Sequence, residues 1–394
     1  MASAGHSSID ADEREGDFNM NTQAANDQMQ SSVDTAAPKI MHIVEAYGGG
    51  VQTALEQYIG NSAFAEHRIV ARSRPGHDVG VLRNADVDSY DGSLRSFIKY
   101  CGRQIRKLDP DVIHLHSSYA SLVRLVVGRK TPARMLYTPH CYAFERQDKN
   151  QLERIMYRAA EYGLERIRPV EVAAVSPFEA ARARDLVRAK KVHILPNVVN
   201  TQESWTYSHA NSIDSRTVVG IGRISSQKDP DFFAHVASLL RSADIEFTWI
   251  GDGDPSSRSA LEEAGVRVTG WLPNSRVREL VRSASVYLHT ARWEGAPIAP
   301  LEATELGIPV LIRDVPTMRG LGYFSAGSRV EDVAESVRKF FELEDFRDSV
   351  YRKDSERISA WTPKHQNDVL KQLYARDPEG RRSYEGTISS EDRR

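Results

Sequence analysis

The sequence predicts an α/β protein built from two parallel sheets in tandem, and three observations predict it. The chain has 394 residues, beyond the ~250–300 at which one hydrophobic core stops growing and chains divide. From Lys39 onward, short runs rich in β-branched residues alternate with segments of helical period, the pattern of parallel strands joined by helical crossovers. These runs form two series separated by a polar stretch, 198–215, which holds Asn200, Asn211 and several Ser and Thr and reads as a hinge.

The first series reads KIMHIVEAY (39–47), HRIVARS (67–73), DVIHLHS (111–117), RMLYTPH (134–140), EVAAVS (171–176) and KVHILPN (191–197). The second reads TVVGIG (217–222), IEFTWIGD (245–252), VRVTGW (266–271), SVYLHTA (285–291) and PVLIRDV (309–315). Two Rossmann-like domains follow, 39–199 and 200–360. A last helical segment, KHQNDVLKQLYA within 361–376, is expected to cross back to the first domain. In such sheets ligands bind outside the carboxyl ends of the strands, so two facing domains line one crevice.

Residues 1–38 carry a net charge of roughly −6, residues 39–199 roughly +8 and the rest roughly −4, which together give the overall −2. The segments 1–38 and 377–394 are polar and poor in aromatics, so they are expected to be disordered tails. Near-neutral overall charge argues against general nucleic-acid binding. No apolar run approaches the ~20 residues that cross a bilayer. The first residues lack the basic and apolar regions of a secretory signal, so a cytoplasmic location is expected. Two cysteines, Cys101 and Cys141, are too few for a disulfide framework or a thiolate zinc site and read as free thiols.

Three segments carry candidate chemistry. Gly48, Gly49 and Gly50 fall where the first strand ends and a helix begins, so backbone can approach a ligand and the free N–H groups of the helix start suit phosphate or sugar oxygens. The tripeptide is neither a GxGxxG nor a Walker A, and the lack of a GxGxxG after a strand with an acidic residue ~20 positions on argues against a dehydrogenase. In GRISSQKDP (222–230), Arg223 ends a strand and Lys228 precedes a helix that Asp229 would cap and Pro230 would open. A guanidinium and an ammonium so placed suit a diphosphate. In RWEGAPIAPLEA (292–303), Glu294 lies in a strand-to-helix loop and Glu302 about two helical turns later, and carboxylates accept hydrogen bonds from vicinal sugar hydroxyls.

With TPHCYAF (138–144), these segments resemble, in order, glycosyltransferase family 4, retaining enzymes of the two-domain GT-B fold. The resemblance spans roughly residues 39–375. It implies that Arg223 and Lys228 bind the diphosphate of a nucleotide-sugar donor, that Glu302 holds the ribose and that Glu294 meets the transferred sugar; the amides of Gly49 and Gly50 are candidates for the diphosphate as well, and Gly295, Ala296 and Pro297 for binding the donor. Trp271 and Leu272 would lie near the nucleobase. His140 would contact the donor sugar beside the reaction centre. Cys141 departs from the glycine frequent after that histidine, which puts the loop's conformation in question. Transfer would retain anomeric configuration by front-face attack, the leaving phosphate helping to accept the acceptor's proton, with no cofactor and no metal.

Asp-x-Asp strings, which hold a divalent metal in another glycosyltransferase fold, occur at Asp86/Asp88, Asp109/Asp111 and Asp252/Asp254 and are too common here to inform. His114 and His116 alternate along one strand and share a face, but no third metal ligand lies nearby in sequence. His116 and Tyr47 are candidates for the acceptor side. The expected acceptor is a saccharide or a polyprenyl-linked saccharide, in cell-surface or exopolysaccharide synthesis. The cationic segment 94–108 could attach the first domain to the anionic inner face of the cytoplasmic membrane. A sugar-nucleotide epimerase of the same fold and a catalytically silent nucleotide-sugar-binding protein are the alternatives.

Overall fold

The computed structural model describes residues 36–73, 85–128, 131–198 and 215–376. The expected tails, apart from 36–38, and nearly all of the expected hinge lie outside the described residues. Those from Pro38 to Arg376 belong to one compact unit.

Among the described residues, seven parallel strands make the first sheet: β1 (Lys39–Val44), β2 (Glu66–Arg72), β3 (Asp86–Tyr90), β4 (Val112–His116), β5 (Arg134–Thr138), β6 (Glu171–Ala174) and β7 (Lys191–Ile194), in the order 3-2-1-4-5-6-7. Six make the second: β8 (Thr217–Ile221), β9 (Glu246–Ile250), β10 (Arg267–Val268), β11 (Val286–His289), β12 (Val310–Ile312) and β13 (Phe324–Ser325), in the order 10-9-8-11-12-13. All eleven runs read from the sequence are strands, and each strand ends before its run does because the last residues turn into the following loop.

The sequence reading misses β3 and β13. The first, DVDSY, is an edge strand held by polar partners: Asp86 and Asp88 face Arg68, and Tyr100 donates to Asp88 at 2.7 Å. An apolar run was never needed there. The second is two residues long at the opposite sheet's edge.

In each sheet the strand order reverses once, between β1 and β4 and between β8 and β11. Splayed loops at such a switch point leave a crevice at the carboxyl ends of the strands. The glycine turn follows β1, Arg223 follows β8 and Glu294 follows β11, so three of the segments singled out in the sequence sit at switch points.

Helices cover both sheets. In the first half these are α1 (Gly49–Gly60), α2 (Leu94–Leu108), α3 (Gln151–Ile167) and α4 (Pro177–Arg182). In the second they are α5 (Pro230–Leu239), α6 (Pro255–Glu263), α7 (Asn274–Arg282), α8 (Ile298–Glu305), α9 (Val330–Glu342) and α10 (Glu344–Ala360). A last helix, α11 (Pro363–Tyr374), is started by the Thr362 hydroxyl, which accepts from the His365 N–H at 3.2 Å. It buries Leu370, Leu373 and Tyr374 against Ile40, Tyr58, Val112 and Leu136 of the first half. Each such side chain contributes ~1.5–3 kcal/mol by leaving water. Gln366 donates to the Pro196 carbonyl at 2.6 Å and Asn367 to that of Asn61 at 2.6 Å, so the helix is tied to the first half by polar contacts as well.

The two halves also meet directly. Asn197 Nδ2 donates to the Ala296 carbonyl at 2.9 Å and Gln147 Nε2 to that of Arg292 at 3.0 Å. At Gly295 a β-carbon would lie 2.8 Å from the Cys141 nitrogen and 2.9 Å from the His140 carbonyl carbon. Only glycine lets the loop after β11 come this close to the loop after β5.

Candidate active site

The second half supplies charge. Trp249 Nε1 donates to the Gly222 carbonyl at 3.0 Å, fixing the end of β8, and the Lys228 side chain lies across Gly222, where a β-carbon would sit 2.9 Å from Lys228 Cε. Lys228 Nζ meets Glu294 Oε1 at 2.6 Å, with Lys228 21% and Glu294 11% exposed. The other oxygen of Glu294 accepts from Gln227 Nε2 at 3.2 Å, and the Glu294 N–H donates to Thr317 Oγ1 at 3.1 Å. Arg223 is exposed, and among the described residues its guanidinium has no hydrogen-bond or ion-pair partner. Two cations and one carboxylate thus stand at one switch point.

Asp229 does not cap α5 with its side chain as expected. It adopts φ 53°, and its carboxylate takes Arg292 Nε at 2.8 Å and Arg313 at 2.6 Å. Two guanidinium partners outcompete a single backbone N–H, and the loop carrying Lys228 is clamped as a result.

Glu302 lies on α8, facing the first half. It lines a cleft of about 530 Å³ with Thr53, Glu56 and Gln57 of α1 and Ile298 and Glu305 of its own helix. Burial and the neighbouring Glu305 raise its carboxyl pKa, while Arg278 and Lys228 draw it back. The cleft runs along α1 and α8, whose starts approach each other, and neither N-terminus has a side-chain cap or an acidic residue in its first turn. A β-carbon on Gly50 would touch Ile298 at 3.6 Å, and Gly49, at φ 54°, leaves open space. Two uncapped helix starts carry unsatisfied N–H groups and positive dipole ends, which favour an anion between them.

Trp271, 64% exposed, and half-buried Leu272 follow β10 at the loop before α7, with Gly270 at φ 70° providing the turn. An exposed indole offers a stacking face for a planar ring.

The first half supplies buried neutral groups. His140 and Cys141 have φ 52° and 84°, in the left-handed region. Cys141 therefore adopts the backbone that makes glycine frequent at this position, at a cost of about 1–2 kcal/mol. Glu179 of α4 holds this conformation: its carboxylate accepts from the Cys141 N–H at 2.7 Å and from the Val175 N–H at 2.8 Å. Burial pushes the Glu179 carboxyl up to about 7, against the pull of those two N–H donors. Glu179, Cys141, Glu294 and Thr317 line one small cavity between the halves.

His140 Nε2 lies 3.0 Å from His116 Nδ1, and His116 Nε2 lies 3.1 Å from His42 Nδ1. This corrects the expectation for His116 as an acceptor contact, because it is fully buried and both ring nitrogens are taken. Tyr47 is also fully buried, packed with Val44, Leu55, Ile59 and Ile69, so its ring is core and offers no open face to an acceptor. A third histidine, missing from the sequence reading, does join His114 and His116: His42 from the neighbouring strand brings ligand atoms within 4.8 Å of theirs. All six ring nitrogens are nonetheless in hydrogen bonds, those of His114 with Thr138 Oγ1 at 2.8 Å and the Tyr374 hydroxyl at 3.0 Å, and that of His42 beyond His116 with His67 Nδ1 at 3.1 Å. The Asp-x-Asp carboxylates serve locally, Asp252 pairing with Arg258 at 2.9 Å and Asp254 capping α6 at 2.9 Å.

Gln227, Thr317, Glu179, His42 and His67 were not singled out in the sequence. Glu179 carried a signal, since Ser176-Pro-Phe-Glu179 is a helix-start pattern, but its reach to Cys141 depends on strand packing. On the surface, α2 buries its apolar face and shows its cationic one, whereas α3 exposes Leu152, Ile155, Met156 and Ile167, spaced along one face with Arg158 and Arg166 also exposed.

Comparison with known proteins fits this geometry. Residues 61–203 match the Glycosyltransferase Family 4 model and residues 215–342 the model for Glycosyl transferases group 1. An uncharacterized 41.2 kDa protein in the cps region of Klebsiella pneumoniae is 24% identical over 71% of this chain and 82% of that protein. The UDP-Gal:alpha-D-GlcNAc-diphosphoundecaprenol alpha-1,3-galactosyltransferase of Escherichia coli is 20% identical over 54% of this chain, which spans 59% of that enzyme. Among solved structures, a sucrose-phosphate synthase from Thermosynechococcus elongatus superposes with a TM-score of 0.69 at 16% identity, covering 86% of this chain and 98% of that one. HepE of Anabaena, solved with UDP and glucose, gives 0.65 at 14% identity, covering 85% and 98%. With its two parallel sheets, its paired family matches and these relatives, the chain belongs to the family 4 glycosyltransferases of GT-B fold.

Proposed function

We propose that this glycosyltransferase moves a hexose, with retention, from a UDP- or GDP-sugar to a lipid-linked saccharide in bacterial cell-surface or exopolysaccharide synthesis. One observation carries the reading: unpartnered Arg223 and the Lys228–Glu294 pair stand at a switch point, and the uncapped starts of α1 and α8 lie beside each other, on the two helices that line the cleft with Glu302. The donor diphosphate would take Arg223 and the Gly49 and Gly50 amides, and would draw Lys228 from Glu294. Glu302 would receive the ribose hydroxyls, Trp271 and Leu272 would flank the base, and Glu294 with 295–297 would face the hexose near His140. As the bond from the sugar's anomeric carbon to the phosphate breaks, charge grows on the diphosphate, and groups that bind it more tightly there lower the barrier. The acceptor hydroxyl bonds to that carbon on the same face, and its proton passes to the leaving phosphate oxygen. Phosphate charge is met by side chains and helix starts, so this reaction assigns no step to a metal or a cofactor.

The stripe on α3 supports a membrane-borne acceptor better than the segment 94–108 does, because apolar side chains standing out beside arginines suit an anionic bilayer surface. A thermal-shift panel of UDP-, GDP- and ADP-sugars tests the donor, since a ligand bound only by the folded state raises its melting temperature. One nucleotide series should shift it, and a flat panel contradicts the reading. Conversion of a nucleotide sugar without acceptor to an epimer would replace transfer with epimerisation. Vesicle binding at low salt should favour anionic over neutral lipid and weaken in Met156→Glu; equal partitioning contradicts the membrane contact.

A further inference from the structure

Four imidazoles form an unbroken chain across the first sheet. His67 lies on β2, His42 on β1, His116 on β4 and His140 just beyond β5, one from each of four adjacent strands. In register His67 stands opposite Ile40, His42 opposite His114, and His116 opposite Thr138. Each step to the next strand therefore advances two residues, which keeps every ring on the same face. The nitrogen separations along the chain are 3.1, 3.1 and 3.0 Å.

One end is fixed. His67 Nε2 lies 3.2 Å from the Ser62 carbonyl oxygen and 3.0 Å from Ser62 Oγ, whose own hydrogen goes to the Tyr58 carbonyl. Both neighbours are acceptors, so His67 Nε2 carries the hydrogen. A neutral imidazole has one N–H and one bare nitrogen. His67 Nδ1 is then bare and accepts from His42 Nε2–H, His42 Nδ1 accepts from His116 Nε2–H, and His116 Nδ1 accepts from His140 Nε2–H. The other end is His140 Nδ1, which has no partner among the described residues and belongs to a half-buried residue. Around the chain stand His114, Tyr58 and Tyr374. Burial holds the rings neutral, lowering His42 and His116 well below the ordinary range and His140 to about 3.

We propose that His67, His42 and His116 are positioning residues that lock His140 as its Nε2–H tautomer, so that Nδ1 meets the donor sugar only as a hydrogen-bond acceptor. This rests on the reading of His140 as the group beside the sugar, and it specifies which hydroxyl chemistry that group serves.

The test is nitrogen NMR on the full chain labelled at histidine ring nitrogens, with the His140 signals assigned by their loss in His140→Gln. The expected result is a bare Nδ1 and a protonated Nε2 for His140, unchanged between pH 8 and 5. His67→Phe removes the acceptor for His42 and should give a mixture of His140 tautomers with roughly a tenfold fall in kcat and little change in donor KM. His67→Asn, whose Oδ1 can accept where Nδ1 did, should restore both. A hydrogen on His140 Nδ1 in the unaltered protein overturns the lock whether or not any variant folds, as does a His67→Phe protein with the original tautomer. Zinc that shifts the His42 and His116 signals also overturns it, by showing those nitrogens free to ligate. If the tautomer changes in His67→Phe while kcat holds, the lock stands and the role of His140 beside the sugar falls.

Discussion

The two halves meet a common crevice with opposite chemistry. The second presents Arg223, Lys228, Glu294 and Glu302, charged and reached from outside, on loops and a helix close in sequence to their strands. The first presents a glycine turn and a row of neutral, buried or half-buried histidines drawn from four adjacent strands. The difference teaches that charge placed at strand ends can take hold of a leaving group, while a neutral, water-poor wall can orient a sugar without competing for the phosphate. Breaking one half should therefore damage binding of the leaving group, and breaking the other should damage orientation.

The largest effect is expected from Lys228→Ala, which should lower kcat/KM by about 10²–10³-fold while circular dichroism and melting stay near normal. Gln227 remains to hold Glu294 in that variant. Near-normal turnover would break the assignment of the second half.

Next comes the contact between the halves. Gly295→Ala places a carbon against two backbone atoms of 140–141, neither of which is the end of a flexible chain. It should cost about 1–3 kcal/mol of stability and lower kcat through displacement of His140. A variant with unaltered activity and melting would show that the halves need not approach here.

The pH response probes the first half. Burial depresses His140 and His114 to about 3 in the folded chain, against an ordinary 6.5 for histidine. The unfolded chain therefore takes up protons below 6.5 that the folded chain refuses, so stability is full above that pH and is lost as pH falls toward 3. Each histidine contributes about 1.4 kcal/mol per pH unit to the slope, and the pair about 2–3. Glu179, raised to about 7, acts in the opposite direction as pH falls from 7 to its ordinary range, offsetting one of them. Urea unfolding between pH 7 and 5 should show a falling midpoint; a flat or rising one would mean that the histidines are charged or exposed.

The smallest effect is expected at Cys141→Gly. Relieving a left-handed residue at φ 84° should raise stability by about 1 kcal/mol, with activity retained. Destabilisation would mean that the thiol's packing outweighs the backbone strain.

The same contrast explains what could be read from the sequence. Arg223, Lys228, Glu294 and Glu302 were legible because each is polar, lies in a strand-end loop or in the helix that follows it, and depends only on local strand-to-helix geometry. Eleven strands were legible for the same reason, whereas DVDSY was not, because its partners Arg68 and Tyr100 come from other elements. The histidine row was half visible as His116 and His140. Its sense depends on which strands become neighbours, and nothing local in KIMHIV or EHRIVAR announces that His42 and His67 complete it. The apolar stripe of α3 escaped notice because a helical period does not reveal whether its apolar face is covered.

The central claim is that the charges of the second half hold the donor's diphosphate. Calorimetric titration with UDP and with GDP tests it most directly, using the unaltered chain, Arg223→Ala and Lys228→Ala, with Arg158→Ala on α3 as the control. The account predicts that one nucleotide binds the unaltered chain and Arg158→Ala alike, and binds each of the other two at least about tenfold more weakly. Equal affinity across all four proteins would contradict it.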